Sequence, residues 1–544
     1  MTFIPSVLTN SDLNNTTTTT ASVYIGTGTI TTGYNTVYMT LTSTLDSAAG
    51  GLEIQFSADN SAWTTYYTDT YFTGTLFSKS YKIIGKYWRV KYTTLGPTIF
   101  TINSRLSTNV DPAAQGIDSF YIEVGDSYHD AFGKLRTSTP YTLIDNKFPF
   151  ADTGNATPEF LSNTREDCSL TVGSGVTAVY GSSQCIMTIT NGSSPSSYTS
   201  QSRKYATYQP GKSLLFLSSG IIKYLTTTSA SYTARIGYFD DNNGLFFEQN
   251  QTSMGVVLRN NTNDTRIIQS NWNIDKFDGT GISGVNLKFE KNQLFVIDFE
   301  WLSAGRIRFG FYLFGRIFYC HQITNLNSLT GPYMDTPNLP VRYQLTVNDS
   351  GTTAKLTQIC SSVLSEGGYN PVGKPFSISN GIIPISVNQT ETPLLAIRGN
   401  SAAASSTNNR YYHQNIVPTL LNVFSTANND IFYEIRLYLA PNTPTVADAS
   451  WNAVDVNSVV QYAVGAGITN ITPVLNGASI VVDTGYAAGR GGSVISVLES
   501  IYSNTLQITS DVSNVSDVIL ITARKIATGS GIPVYASLNW QEVY

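Results

Sequence analysis

The chain has 544 residues, 41% of them hydrophobic and 13% charged, with a formal net charge of −5. That length and apolar share exclude a disordered chain and imply about three domains, at roughly 100–200 residues each. The acidic balance, with no basic run or stripe, excludes a nucleic-acid footprint.

Charged residues stand at about half their usual share. Ser, Thr, Asn, Gly and Tyr take their place, which suits twisted sheets with polar faces and tight turns. The start, MTFIPSVLTN, has neither a basic n-region nor an apolar core, so no signal peptide is expected. No window stays apolar for the ~18 residues that a membrane span needs. The expected fold class is all-β: several antiparallel β-sandwich or jelly-roll-like domains in tandem, with almost no helix.

Residues 1–21 read as an N-terminal arm, including the threonine run at 16–20. Residues 22–106 read as a β-sandwich. Strand candidates lie at 22–27, 35–45, 52–57, 63–67, 80–84, 87–92 and 98–105, with Gly50-Gly51, Asp59-Asn60 and Gly96-Pro97 among the turns. The phrases LEIQFSADNSAWTTY and KYWRVKY resemble discoidin-like and carbohydrate-binding sandwiches. Trp63, Tyr66, Tyr67 and Trp88 are thus candidates for contact with a glycan or partner. The plainer reading is that such large apolar bodies fill the core.

Residues 107–128 are polar and read as a linker. Residues 129–371 read as a central β-sandwich. It opens on HDAFGKLRTSTPYTLIDNKFPF, which has neither a helical nor a strand period and reads as an extended segment threading onto a sheet. The turn Asp240-Asp241-Asn242-Asn243-Gly244 invites a calcium reading, but its Gly comes one place early for an EF-hand loop, and a hairpin turn uses the same residues.

The centre of this domain is LFVIDFEWLSAGRIRFGFYLFGRIFYCH, read as three antiparallel strands at 294–301, 306–313 and 316–321. Pairing about Ser303, with Gly305 in the left-handed position, sets Asp298 opposite Arg308 and Glu300 opposite Arg306. Phe299, Ile297 and Phe295 then face Ile307, Phe309 and Phe311 on the other side, which fixes the register. Asp298 and Glu300 are the most enzyme-like pair in the chain, since carboxylates two apart on a strand point the same way, as in sandwich-fold glycosidases. Their arginine partners favour the other reading, structural cross-strand ion pairs, because a neutralised carboxylate lacks the raised pKa of a catalytic acid.

Residues 372–544 read as a C-terminal β-sandwich of repeated apolar–polar alternation. The three histidines, His129, His321 and His413, lie far apart, and no catalytic or nucleotide-binding motif occurs. The four cysteines form no CxxC, so neither a zinc site nor any other metal or cofactor is expected. Cys320 and Cys360 read as buried thiols; whether Cys168 pairs with Cys185 stays open. The chain is expected not to be an enzyme.

Six phrases in order resemble a module of virion proteins of tailed phages and large DNA viruses. They are DAFGKLRTSTPYTLIDNKF, QSRKYATYQPGKSLL, RIGYFDDNNGLFFEQ, FVIDFEWLSAGRIRFGF, TPNLPVRYQL and QICSSVLSEGGY. The module's wording is closer to AFGRLRVS followed by a TLFDSK-like phrase; Lys134 and Thr137 depart from it, as does the Ile144–Lys147 stretch. The resemblance extends loosely to the closing SLNWQEVY, and it implies no catalytic residue.

What it implies is a structural component of a virus or phage particle: a minor capsid, vertex, decoration or fibre subunit located in the virion. Its partners would be other virion proteins of capsid or tail and further copies of itself, with no nucleic acid and no membrane. The alternative is a receptor-binding adhesin that recognises host surface glycans.

Overall fold

The computed structural model describes residues 7–9, 16–19, 23–75, 77–96, 98–107, 129–132, 134–136, 139–147, 167–190, 192–224, 231–370, 372–400, 415–440, 449–468, 479–490, 494–497 and 507–543. Apart from Ser107, the linker expected at 107–128 lies outside them. The fold is all-β: antiparallel strands dominate, with short 3₁₀ turns at Gln269–Asn271 and Gly465–Gly467 and no α-helix among the described residues. None of their helices is long and apolar enough to cross a membrane.

The chain divides into two compact units, Met1–Val124 with Ile274–Leu287, and Gly125–Asn273 with Lys288–Tyr544. In the first, Thr98–Ser107 lies between Thr36–Ser43 and the two short N-terminal strands Val7–Thr9 and Thr16–Thr19. The threonine run is therefore a paired strand. A second sheet places Tyr87–Thr94 between Ser47–Ser57 and the short strands Val23–Ile25 and Thr29–Ile30. Strict alternation in Tyr87–Thr94 turns Trp88, Val90 and Tyr92 into the core, against Leu41, Ile54 and Ile102. Ile274–Leu287, which the sequence places in the central domain, groups with this unit, where Gly284 comes up against Thr32.

The second unit holds four sheets. One runs Val176–Gly181, Gln184–Ile189, Ala354–Ser365, Leu214–Ile221, Gln293–Phe299, Ile307–Leu313, Arg316–Ile323, with Tyr141–Lys147 also paired to Ala354–Ser365. Its neighbour runs Asp167–Val172, Ser196–Ser202, Val341–Val347, Tyr232–Phe239, Gly244–Asn250, Met254–Asn260, Asn263–Ile268. They face each other through aromatic rings: Phe247 lies 5.1 Å from Phe295, 5.6 Å from Phe309 and 5.2 Å from Phe311, centroid to centroid.

The other two sheets are Gly373–Ser379, Ile532–Val543, Asn415–Ser425, Val494–Val497, and Asn452–Ala453, Val460–Val464, Thr392–Gly399, Val518–Lys525, Ile431–Tyr438, Ser479–Ala487. Their inward residues, among them Leu395, Leu421, Ile435, Ile521, Leu538 and Trp540, form one core. In each of the six sheets the strand that comes last in the chain sits between earlier ones.

The sequence boundary at 371/372 falls inside this second unit. Arg203 and Asp517, both fully buried, pair at 3.1 Å, and Arg203 also donates to the Ala440 carbonyl at 2.7 Å. Asn415 Nδ2 donates to Tyr205 O and Thr207 Oγ1 at 3.1 and 2.9 Å. Partners more than 200 residues apart join the two pairs of sheets.

The hairpin at Ser303 has the expected register, Asp298 against Arg308 and Phe295 against Phe311. Its positive φ angles, however, fall on Leu302 (30°) and Ser303 (65°), not on Gly305. Gly305 answers a different need: a Cβ there would lie 2.1 Å from Glu300 Cγ and 2.5 Å from Glu300 O. The Phe314-Gly315 turn takes positive φ at both positions, 52° and 82°, which suits a two-residue hairpin.

All four cysteines are free, so Cys168 and Cys185 are unpaired thiols. Cys360 is exposed, against expectation, while the other three are buried. The register of Ala354–Ser365 explains this. Gln358 pairs with Gly220 and Cys360 with Ser219, leaving Ile359 unpaired in a bulge. The bulge flips the alternation, so that positions aligned with buried Leu356 turn outward after it. Burial pushes the Cys168 and Cys185 thiols up to about 12, and the thiolate is the reactive form. One thiol per chain is therefore expected to react with DTNB in the native state, and three more only on unfolding. Rapid native reaction of more than one would contradict this burial.

Candidate functional site

The residues with the most chemistry converge on the outer face of the strand Gln293–Phe299. That strand turns Phe295, Ile297 and Phe299 into the aromatic core, so Asp298 points the other way. It does not reach solvent, because the segment from His129 to Arg136 covers it. His129 and Leu135 form an isolated bridge. Asp130 N donates to Lys134 O and Lys134 N to Asp130 Oδ1, both at 2.8 Å. Arg308 Nη2 donates to the His129 carbonyl at 3.0 Å.

Asp298 is fully buried. Its Oδ2 accepts hydrogen bonds from Arg308 Nη2 and Arg136 Nη2, and from the Tyr319 hydroxyl at 2.7 Å. The Arg308 guanidinium also lies over the Tyr319 ring, 4.3 Å from its centroid. Burial and the Asp298 charge hold the Tyr319 hydroxyl well above the ordinary range, so it stays a donor. Arg136 Nε reaches Glu366 Oε1 at 2.7 Å, and Glu366 Oε2 accepts from Ser213 Oγ at 2.8 Å. Two carboxylates and two guanidiniums thus share one small buried volume, with Arg136 bridging Asp298 through Nη2 and Glu366 through Nε.

Glu300 sits just past the strand end. Its Oε1 accepts from the Arg306 amide at 3.1 Å, and its carbonyl accepts from the Tyr333 hydroxyl at 2.7 Å. It closes the hairpin, and burial raises its carboxyl above the ordinary range. Arg306 reaches toward the Ala131 carbonyl at 3.5 Å. Asp298 is fully buried and held by two arginines, an arrangement unlike a glycosidase pair, where one carboxyl protonates and the other attacks. Sequence reasoning found Asp298 and Arg308 but missed Arg136, Glu366 and Tyr319.

Burial, and then the nearby Asp298 charge, push the Glu366 carboxyl up to about 7 from the ordinary 4.5. The native state therefore binds more protons than the unfolded chain between these values, and this group's contribution falls as pH rises through that window. The stability of the wild type relative to Glu366→Gln is expected to be higher near pH ~5 than near pH ~8. Melts of both proteins across that range measure it, and a pH-independent difference would show that Glu366 does not titrate there.

In the first unit, the structure does not bring the four aromatic candidates onto one exposed face. Trp88 is 0% exposed and belongs to the core, which removes it as a glycan or partner contact. Trp63 is half-buried with the Arg89 guanidinium over its ring at 4.3 Å. Tyr67 packs against the core, and Tyr66 alone is well exposed, at 52%. At Asp240, Oδ1 accepts from the Asn242 and Asn243 amides at 2.8 Å each, a side-chain-capped turn. Among the described residues no group of three or more His, Cys, Asp or Glu is placed to hold a metal ion.

No family model matches the chain, and no curated protein matches it. Among solved structures, it is similar to the PBSX exported protein XepA at 10% identity and a TM-score of 0.17, over 65% of this chain and 86% of that one. The CBM2 module of the evolved Dit of Lactobacillus casei BL23 phage J-1 is similar at 8% identity and a TM-score of 0.27, over 42% and 96%. An endo-1,3-β-glucanase from Streptomyces sioyaensis is similar at 9% identity and a TM-score of 0.27, over 42% and 96%. Likenesses this distant carry no argument about this chain.

Proposed function

We propose that the protein is a structural component of a virus or phage particle, a minor capsid, vertex, decoration or fibre subunit that acts through protein–protein contacts. One observation carries the reading. The phrases that resemble the virion module supply Arg136, Asp298, Arg308 and Glu366, which meet in the buried network under the 129–136 segment, and Asp130, which bonds Lys134 within that segment. What the phrases share is thus a way of fastening that segment to a sheet. Wide sheets with few charges supply lateral contact faces. The edge strands Arg316–Ile323 and Asn263–Ile268 would be covered by neighbouring subunits, which removes an aggregation hazard.

Cryo-electron microscopy of purified particles, with mass spectrometry for copy number, tests the reading. Density at a fixed symmetric position supports a capsid, vertex or cement subunit, and density at a projecting tip supports a fibre. Absence from particles would overturn it. The adhesin alternative, placed on the first or the third sandwich, loses Trp88 of the first to the core.

A further inference from the structure

The sheet Gly373–Ser379, Ile532–Val543, Asn415–Ser425 has an inner face of Ile378, Val534, Leu538, Leu421 and Val423, all in the core. Its outer face follows from register. Ser379 pairs with Ser537, and Ser537 with Asn422, so these three form one row across three strands. Two residues along, Tyr535 pairs with Phe424, their rings stacked at 4.9 Å and 14°. A pocket of about 320 Å³ opens on these two rows, with Asn380, Gly381 and Ile382 as its rim.

The rim is braced. Asn380 Nδ2 donates to Ile383 O at 2.9 Å and to Val534 O at 3.1 Å, while its Oδ1 accepts from Ala536 N at 2.9 Å. Gly381 takes a φ of 62° to turn the chain there. Ile382 is 93% exposed beside it. In the floor, Asn422 Oδ1 is buried and accepts no hydrogen bond. A buried acceptor left unmade keeps its full desolvation cost, which a ligand hydroxyl would recover.

We infer that this pocket binds a neutral saccharide unit, a hexose or N-acetylhexosamine at the end of a glycan. Three features of the lining select that class. Among the described residues, no Asp, Glu, Lys, Arg or His lines it, so none of them would hold a phosphate, sulfate or carboxylate by charge. The Phe424–Tyr535 wall offers apolar aromatic surface to the C–H face of a sugar ring. Two serine hydroxyls and the Asn422 amide, set at strand spacing, match hydroxyls that are both donors and acceptors. The volume stands at the small end of ligand pockets, about 300–1,000 Å³, so one or two rings fill it. The inference goes beyond the particle reading, since a structural subunit need bind no sugar, and its failure leaves that reading untouched.

The test is a glycan array probed with the full chain. It carries neutral hexose- and N-acetylhexosamine-terminated oligosaccharides beside sialylated and sulfated ones. The best neutral binder is then titrated calorimetrically against wild type, Tyr535→Ala and Asn422→Ala. Binding to the neutral set that weakens at least ~10-fold in both variants, with melting curves unchanged for at least one, is the expected result. Tyr535→Ala tests the wall, and Asn422→Ala tests the floor if the first variant misfolds. No neutral binding, binding confined to the acidic glycans, or binding retained in both variants would overturn the inference. So would a wild-type dimer that Tyr535→Ala converts to monomer with no glycan signal, because the face would then serve a second copy.

Discussion

Replacing Asp298 with alanine is expected to cost about 3–5 kcal/mol, the range found when one partner of a buried ion pair is removed. The small volume lost with the carboxylate group matters little; the stranded charge decides. Arg136 keeps Glu366 as a partner at 2.7 Å and is 17% exposed, so it finds water and a counter-charge. The Arg308 side chain is 0% exposed and loses its carboxylate. Its hydrogen bond to the His129 carbonyl and its stacking on Tyr319 bring no negative charge to replace the lost one. Urea melts measure the loss. Limited proteolysis adds a local readout, since the 129–147 segment loosens when its anchor goes. The double variant Asp298→Ala/Arg308→Met is expected to regain part of the stability, because an apolar pair avoids the burial of a lone charge. A cost below ~1 kcal/mol, the scale of an exposed pair, would mean that the carboxylate does not hold the segment.

Arg203→Met is expected to have an effect of similar size, about 3–5 kcal/mol, with a different signature. Asp517 is fully buried, and burial already raises its carboxyl while Arg203 lowers it. Asp517 keeps the Ala440 amide at 2.9 Å and the Thr509 hydroxyl at 2.6 Å, but no charge opposes its own. Without Arg203 its native pKa rises further above the unfolded value, so the variant's deficit grows as pH rises. The pair also joins the central and C-terminal sheets. Calorimetry is therefore expected to resolve one transition of the second unit into two, for about 167–370 and 372–543. A single transition at the wild-type midpoint would show that other contacts couple them.

Much of this was legible in the sequence where the physics is local. Alternation and charge pairing across Ser303 are enough to set Phe295 opposite Phe311 and Asp298 opposite Arg308. The same alternation in KYWRVKY already points Trp88, Val90 and Tyr92 one way and Arg89 and Lys91 the other; weighing Trp88 as a surface aromatic went against it. Arg136 was not legible. Its partner Asp298 lies 162 residues on, and an ion pair across such a span leaves no periodic trace near either end. Arg203 and Asp517 were not legible for the same reason, since 314 residues separate them. Cys360 failed through one bulge, which no pattern of side chains announces.

The placement of each sheet's last strand has a consequence for how the protein is made. A nascent chain leaving the ribosome lays down flanking strands first and holds the slot between them open. Gly373–Ser379 and Asn415–Ser425 wait for Ile532–Val543, which pairs with both. Thr392–Gly399 and Ile431–Tyr438 wait likewise for Val518–Lys525. Each slot presents unpaired amides and carbonyls until its insert arrives, a state prone to wrong partners. Closure then comes late and links distant parts of the chain, which makes for slow folding. Yield in a recombinant host should depend on synthesis rate and holdase supply more than on the stability of the finished fold.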